Sequence, residues 1–451
     1  MSAPLALPTR ADLRATWQLA APIVVVQVGW QLMGVVDALM VGHVSPQALA
    51  AVSIGNLVFF NVIVIAFGIL MALDPIVSQA VGAGDRAGVA LGVQRGVVLA
   101  VMTSTVIGAA LWPSEAILRG LRQPDDVVPL AADWLRWSII GVLPLTLFTV
   151  ARQALQAQQR VRPVVVATVV ANIANVGLNW VFIYGNLGMP PMGVVGSAHS
   201  TWISRWLMAA MVWAAGWSVL RDAVRPWQRA ALGAASLGRM LRLGLPIGVQ
   251  WFFEAFAFGL VTVWAGWLGT TTLAGHEVAL NLASLTFMVP LGVSGAASAL
   301  VGHAIGRGDM PGARRDAAAA FGIGVGVMAI SAVLFLALPM GLARLYTPDP
   351  ATHTVAVALI PIAGAFQLFD GTQAVCGGIL RGSGDTKVPA LMHFLGFWGV
   401  GVPMSWWLGL HTSLGARGLW FGLVGGLVAA AGLQFLRVRQ RLGRDIARTT
   451  V

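Results

Sequence analysis

The stretch Gln79-Ala80-Val81-Gly82-Ala83-Gly84-Asp85-Arg86-Ala87-Gly88 returns 224 residues later as His303-Ala304-Ile305-Gly306-Arg307-Gly308-Asp309-Met310-Pro311-Gly312, with five of the ten residues kept. Leu19, Pro22 and Ile23 return as Leu243, Pro246 and Ile247 at the same offset of 224. Pro163 returns as Pro389 at 226, and Gly193 and Gly196 return as Gly415 and Gly418 at 222. The chain of 451 residues therefore contains one unit twice.

Each copy is a series of apolar runs. The chain is 57% hydrophobic and 10% charged, with a mean hydropathy of +0.80. A soluble domain carries roughly 25% charged residues. So few charges cannot cover a water-facing surface of this size, and lipid must be the main solvent. No stretch is polar enough for long enough to make a separate soluble ATPase, kinase or binding module. The net charge of +11 would suit nucleic acid, but the basic residues sit in short loops between apolar runs, as membrane topology demands. The single cysteine, Cys376, excludes an internal disulfide and a cysteine-based metal site. The apolar run after Arg10 and Arg14 exceeds a signal-peptide core of ~7–15 residues and reads as a retained first span.

A span needs about 20 apolar residues. Such runs predict twelve helices near 15–40, 48–77, 89–111, 127–151, 162–184, 193–219, 240–266, 273–302, 315–338, 351–378, 388–410 and 415–438. The N-terminus, the loops after even-numbered spans and the C-terminus hold 22 of the 28 Lys and Arg residues. That bias predicts cytoplasmic termini and an even number of spans. The expected fold is therefore all-α and integral to the membrane, with twelve transmembrane helices in two pseudo-symmetric six-helix lobes around a central cavity. The expected division is 1–220, an inter-lobe loop at 221–239, and 240–451. An even number of spans per half makes the repeat parallel, related by an axis along the membrane normal.

Charges at the bilayer centre cost several kcal/mol and are functional candidates by default. Three of the 17 acids lie deep in apolar runs: Asp37, Glu254 and Asp370. Glu254 follows Arg242 by 12 residues, and Asp370 precedes Arg381 by 11 on a helix running the other way. At ~1.5 Å per residue both sit roughly 16–18 Å from the same face. Asp37 lies in the outer half of the first span, and Asn175 and Asn179, four apart, share one face of the fifth and are expected to complete a polar cluster with it. None of these acids has an obvious basic partner within the apolar runs, and Arg205, inside the sixth span, is the one arginine assigned to neither side. Two unpaired carboxylates at one depth suit a proton or Na⁺, and a cationic solute relieves the same cost, which produces exchange. The alternative for each acid, and for the two asparagines, is hydrogen bonding between helices alone. Glu277, beside His276, reads as a solvated span end or an accessory acid of an exit path. Trp251, Phe252, Phe253, Phe256, Phe287, Met288, Phe366 and Phe369 surround the carboxylates in sequence and suit a flat organic cation or plain helix packing.

Nucleotide-driven and hydrolytic chemistry lack their motifs. Lys387, the only lysine, follows Thr386, so there is no Walker A sequence, and Leu280 stands where a zinc protease needs its second histidine after His276-Glu277.

Leu380-Arg381-Gly382-Ser383-Gly384-Asp385-Thr386-Lys387-Val388-Pro389 resembles the hallmark of multidrug and toxic compound extrusion (MATE) transporters, as do Gln79–Asp85 and Val36-Asp37-Ala38-Leu39-Met40-Val41-Gly42-His43. Phe252-Phe253-Glu254, Gly275-His276-Glu277-Val278-Ala279-Leu280-Asn281 and Asn175-Val176-Gly177-Leu178-Asn179-Trp180 resemble the NorM branch. The resemblance runs over nearly the whole chain. It implies two six-helix lobes forming a V-shaped cavity and antiport of cationic drugs against Na⁺ or H⁺. The coupling cation is then expected at Glu254 and Asp370, which would be the metal ligands if the ion is Na⁺, with Asp37, Asn175 and Asn179 as the second polar cluster. Phe287 stands where some NorM members carry Tyr, and Glu277 where many carry Gln, which leaves the coupling ion open. The expectation is a monomeric, non-enzymatic exporter of small organic cations in a bacterial inner membrane, without cofactor and without nucleic acid. A lipid-linked saccharide flippase on a similar scaffold is the second reading, and an intramembrane enzyme or scaffold the third.

Overall fold

The computed structural model describes residues 7–450. Among them the chain forms eighteen α-helices joined by short turns, with no strand. They are α1 (Arg10–Gly42), α2 (Pro46–Leu70), α3 (Leu73–Gly82), α4 (Arg86–Leu111), α5 (Ser114–Gly120), α6 (Val128–Ser138), α7 (Val142–Ala157), α8 (Arg162–Tyr184) and α9 (Gly193–Ala215). There follow α10 (Trp217–Val224), α11 (Ala234–Trp267), α12 (Thr270–Gly306), α13 (Met310–Ala337), α14 (Pro339–Tyr346), α15 (Pro350–Gly382), α16 (Lys387–Phe394), α17 (Val402–Leu410) and α18 (Ala416–Leu442). Eleven spans among the described residues are long and apolar enough to cross a bilayer, and twelve if α9 and α10, bent by 86°, count as one broken span. Two of the expected spans are internally broken: α2 and α3 share Pro46–Gly82, and α6 and α7 share Val128–Ala157.

The helices group into two compact units. One holds the described part of Met1–Val24, Ser78–Gly84 and Val249–Thr449; the other holds Val25–Val77 and Asp85–Gly248. The first has a core of Leu359, Phe366, Phe397, Leu419 and Trp420. In the second, Trp134 is buried edge-on to Phe59.

The repeat is visible in the packing. A Cβ added at Gly68 would run into the backbone of Gly248, and one added at Gly292 would run into Val24. Residues 68 and 292, and 24 and 248, are each 224 apart, so one helix crossing is built twice, once in each unit. The kept residues of the quoted stretch have separate jobs. Gly84 and Gly308 turn the chain at φ +68° and +74°, a region open to glycine at no steric cost. Asp85 accepts from the Gly88 amide and Asp309 from the Gly312 amide, both at 2.8 Å. Each aspartate thus caps the next helix, α4 or α13, worth ~0.5–2 kcal/mol.

The helix α8 shows the pattern of a membrane protein. Val166, Val169, Ile173, Val176 and Trp180 are exposed on one face, while Thr168, Ala171, Asn175 and Asn179 are buried on the other. An apolar outer face suits lipid, and the polar groups turn inward to find partners. Exposed Trp112 and Trp267 lie at the ends of α4 and α11, as interface-anchoring rings do.

Candidate functional site

The polar cluster of the second unit is built on α1, α8 and α9. Asp37 is 3% exposed. Asn179 Nδ2 donates to Asp37 Oδ1 at 2.6 Å and to Asn175 Oδ1 at 3.3 Å, and Thr201 Oγ1 donates to Asp37 Oδ2 at 2.7 Å. The three residues expected to meet therefore do so. The face shared by Asn175 and Asn179 follows from their spacing of one helical turn. Arg205, one turn after Thr201, acts on Asp37 electrostatically. Its guanidinium stacks 4.6 Å from the Phe59 ring centroid. The expectation that Asp37 lacks a basic partner is thereby corrected: α9 brings Arg205 into its range. Both carboxylate oxygens of Asp37 are hydrogen-bonded and a cation stands nearby, so its charge is largely answered from within the fold.

The first unit presents a different account. Asp370, on α15, is 7% exposed. Among the described residues it has no hydrogen bond and no ion pair, and the charge that acts on it is Glu254 of α11. The two carboxylates expected at one depth are thus brought within electrostatic reach. Glu254 is 18% exposed, and its Oε2 lies 3.3 Å from Nε2 of His393, a 1%-exposed ring on α16. Gln373 Nε2, on α15, is 2.9 Å from His393 Nδ1, and the His393 ring stacks on Phe397 with centroids 4.6 Å apart. One turn before Asp370, Gln367 is fully buried with neither amide atom hydrogen-bonded.

Aromatic rings line this part of α11. Phe253 meets Phe394 edge-on at 5.2 Å and Trp398 at 5.7 Å, and Phe256 stacks on Trp398 at 5.7 Å. The indole of Trp398 donates to the Phe253 carbonyl at 3.1 Å. Trp398 lies in a π-helical stretch, Leu395–Gly401, between α16 and α17. That widened turn is a frequent marker of functional sites. Phe366 instead belongs to the core, against Phe258 and Trp420. Glu277 is half-buried on α12. Its carboxylate has no hydrogen bond or ion pair among the described residues, and nothing joins it to Glu254 or Asp370. Its neighbour His276 is held by Thr262 at 3.0 Å and by Trp420 at 3.1 Å. No group of three His, Cys, Asp or Glu side chains among the described residues converges as a metal site.

The family profile MatE matches residues 22–181 and again 246–407, two segments whose starts are separated by the repeat offset of 224. The chain belongs to the MatE family. It is similar to Multidrug resistance protein PmpM of Pseudomonas aeruginosa, with 34% identity over 98% of this chain and 96% of that protein. It is also similar to Probable multidrug resistance protein NorM of Mesorhizobium japonicum, 34% identical over 96% and 94% of the two chains. Multidrug resistance protein MdtK of Yersinia pseudotuberculosis is 33% identical over 95% of each. Among solved structures, the eukaryotic MATE transporter AtDTX14 superposes with a TM-score of 0.87 at 20% identity, covering 96% of this chain and 97% of that one. A MATE family transporter in an outward-facing conformation superposes at 0.86 and 22% identity, over 97% and 99%. The expected MATE resemblance and all-α membrane fold are borne out.

Within this MatE chain, sequence reasoning missed Thr201, His393, Gln367 and Gln373. A threonine or glutamine inside an apolar run carries little signal. His393, four residues after Pro389 at the end of the hallmark stretch, offers one: a titratable ring inside a span. The bond from Thr201 to a buried carboxylate is of the strong, charge-assisted kind. Thr201→Val is expected to lower folding stability by about 1–3 kcal/mol, read as a drop in thermal midpoint in detergent. An unchanged midpoint would show that the bond carries no net weight.

Proposed function

We propose that this chain is a secondary active exporter that exchanges organic cations for H⁺ or Na⁺ by alternating access, with Glu254 and Asp370 as the coupling acids. One observation carries the reading. Asp370 is buried, bonded to nothing among the described residues, and faced by a second acid. An uncompensated carboxylate in such a place is expensive. A cation that arrives from outside the fold relieves the cost, and two cations competing for one relief produce exchange. The aromatic rings of Phe253, Phe256, Phe394 and Trp398 supply area and π faces for a flat cationic solute. Asp37, Asn175, Asn179 and Thr201 form the second cluster, and Glu277 is an accessory acid at most.

The lobes 1–220 and 240–451 are the bodies proposed to alternate, with both termini in the cytoplasm of a bacterial inner membrane. The protein is proposed to act as a monomer, without a bound cofactor and without chemical catalysis; the coupling ion is a transported substrate. The names of the relatives support drug-like substrates. The test is uptake of ethidium by purified protein in proteoliposomes, with a pH gradient and a Na⁺ gradient imposed separately. Uptake above protein-free vesicles under one of them is expected. Flat traces under both would refute the proposal.

A further inference from the structure

The segment that leaves α9 carries exposed indoles and arginines that the exporter reading does not use. Gly216 makes the corner, where an added Cβ would run into the Val212 carbonyl and the Leu155 side chain. Beyond it, α10 departs from the α9 axis by 86°. A helix at a right angle to a spanning helix lies along the membrane plane, at the level where the span ends. Its backbone is held from inside by α4. Fully buried Gln94 donates from Nε2 to the carbonyls of Ala223 at 3.1 Å and Pro226 at 3.0 Å, and its Oε1 accepts from the Gln228 amide at 2.9 Å. Arg95 Nη2 donates to the Ala230 carbonyl at 3.4 Å. Leu220, Ala223 and Ala231 are buried. The outward side chains are left without partners in the fold. Trp217 is 38% exposed, Trp227 46% and Leu232 59%. Arg221, Arg225 and Arg229 are exposed among them, against one acid, Asp222. None of the three arginines is ion-paired among the described residues. Trp217, Arg221 and Val224 recur at i, i+4 and i+7 on one stripe of α10, with Asp222 across the helix. Arg225 turns back so that its guanidinium lies 5.4 Å from the Trp217 ring centroid, which sets a positive charge at the edge of that stripe.

We propose that residues 217–232 form an anchor that lies in the headgroup layer and binds anionic phospholipid. The proposal is independent of the coupling acids. Indoles favour the headgroup level, where the ring is apolar on its faces and polar at its N–H. Arginines lay their stems along apolar surface and carry the guanidinium to the phosphates, whose oxygens they bind in pairs. A basic segment beside a span draws anionic lipid by the same charge. Lipid is favoured over a protein partner because the segment begins where a spanning helix leaves the bilayer and because its charge matches phosphate. On the orientation proposed above, the leaflet is the cytoplasmic one. The backbone grip of Gln94 then has a purpose: it holds the segment flat while its side chains face the lipid.

The experiment places a fluorophore on the full chain in lipid nanodiscs, in which both faces are open to the medium. Cys376 is buried, so a thiol-reactive NBD label goes to the introduced residue of Trp227→Cys or Asp222→Cys. Quenching by nitroxide-headgroup lipid is compared with quenching by aqueous iodide, in phosphatidylcholine discs with and without phosphatidylglycerol. With phosphatidylglycerol, the label at 227 is expected to be quenched by the lipid and shielded from iodide, and the label at 222 the reverse. Adding Arg221→Gln, Arg225→Gln and Arg229→Gln together is expected to lower the lipid-to-iodide quenching ratio at 227 by about fivefold or more in those discs, and to change it little in phosphatidylcholine alone. If the triple variant does not yield monodisperse protein, salt decides: at about 1 M, where screening acts within ~3 Å, the phosphatidylglycerol effect at 227 is expected to vanish. Iodide quenching at 227 as strong as at 222 would place the segment in water or under a soluble protein and overturn the proposal. Lipid quenching at 227 that ignores phosphatidylglycerol, the arginines or salt would overturn the recognition of anionic lipid.

Discussion

Glu254→Gln and Asp370→Asn are expected to reduce gradient-driven ethidium transport by about 30-fold or more, the equivalent of roughly 2 kcal/mol or more of lost differential binding. The substitutions are nearly isosteric, so the packing around them is kept, and what disappears is the charge. A ligand shifts a two-state equilibrium only by its differential affinity for the two states. Without the carboxylate, neither the proton nor the solute retains that difference. The same variants separate this role from a structural one. Asp370 receives no hydrogen bond and no counter-ion among the described residues, so its charge destabilises the folded chain. Asp370→Asn is expected to keep or raise the thermal midpoint while transport falls. A variant that transports at the wild-type rate would remove that acid from the coupling site.

Gly306→Val and Gly82→Val are expected to cost about 3 kcal/mol or more of stability, the upper end of overpacking. A Cβ on Gly82 would land on the His303 backbone, and one on Gly306 on the Gln79 backbone. Positions 79 and 303, like 82 and 306, are 224 apart, so the two copies of the quoted stretch approach each other by a reciprocal contact. Backbone cannot step aside as a side chain can. Gln79 also donates to the Gly382 carbonyl at 2.8 Å and accepts from the Thr449 amide at 2.6 Å, so displacing it breaks two further bonds, the first of them buried. Gly326, where an added Cβ meets nothing within 4 Å, is the control. Gly326→Ala is expected to be neutral or slightly stabilising, since glycine costs ~0.5–1 kcal/mol within a helix relative to alanine. The measurement is monodisperse protein remaining after heating in detergent. Equal survival of Gly306→Val, Gly82→Val and Gly326→Ala would show that the contact yields.

Much of the architecture was legible because it rests on rules of composition and period. Asn175 and Asn179 were placed on one face by their spacing, and α8 buries that face. Glu254 and Asp370 were placed at one depth by counting along helices from Arg242 and Arg381, and the fold brings them within electrostatic reach. The breaks within Pro46–Gly82 and Val128–Ala157 were not legible. Hydropathy averaged over a span does not report where the helical hydrogen bonding is interrupted.

The amino-acid order by itself determined a lipid-solvated, duplicated, all-helical chain with three acids deep in its spans, because the bilayer demands long apolar runs and tolerates few charges. Tertiary packing alone decided which groups answer those acids. Thr201 and Arg205 come to Asp37 from 164 and 168 residues away, and His393 comes to Glu254 from 139 away. Such partners are joined by the rotation and tilt of separate helices, to which the hydrophobic period of any one helix is blind. That packing leaves Asp37 answered and Asp370 bare.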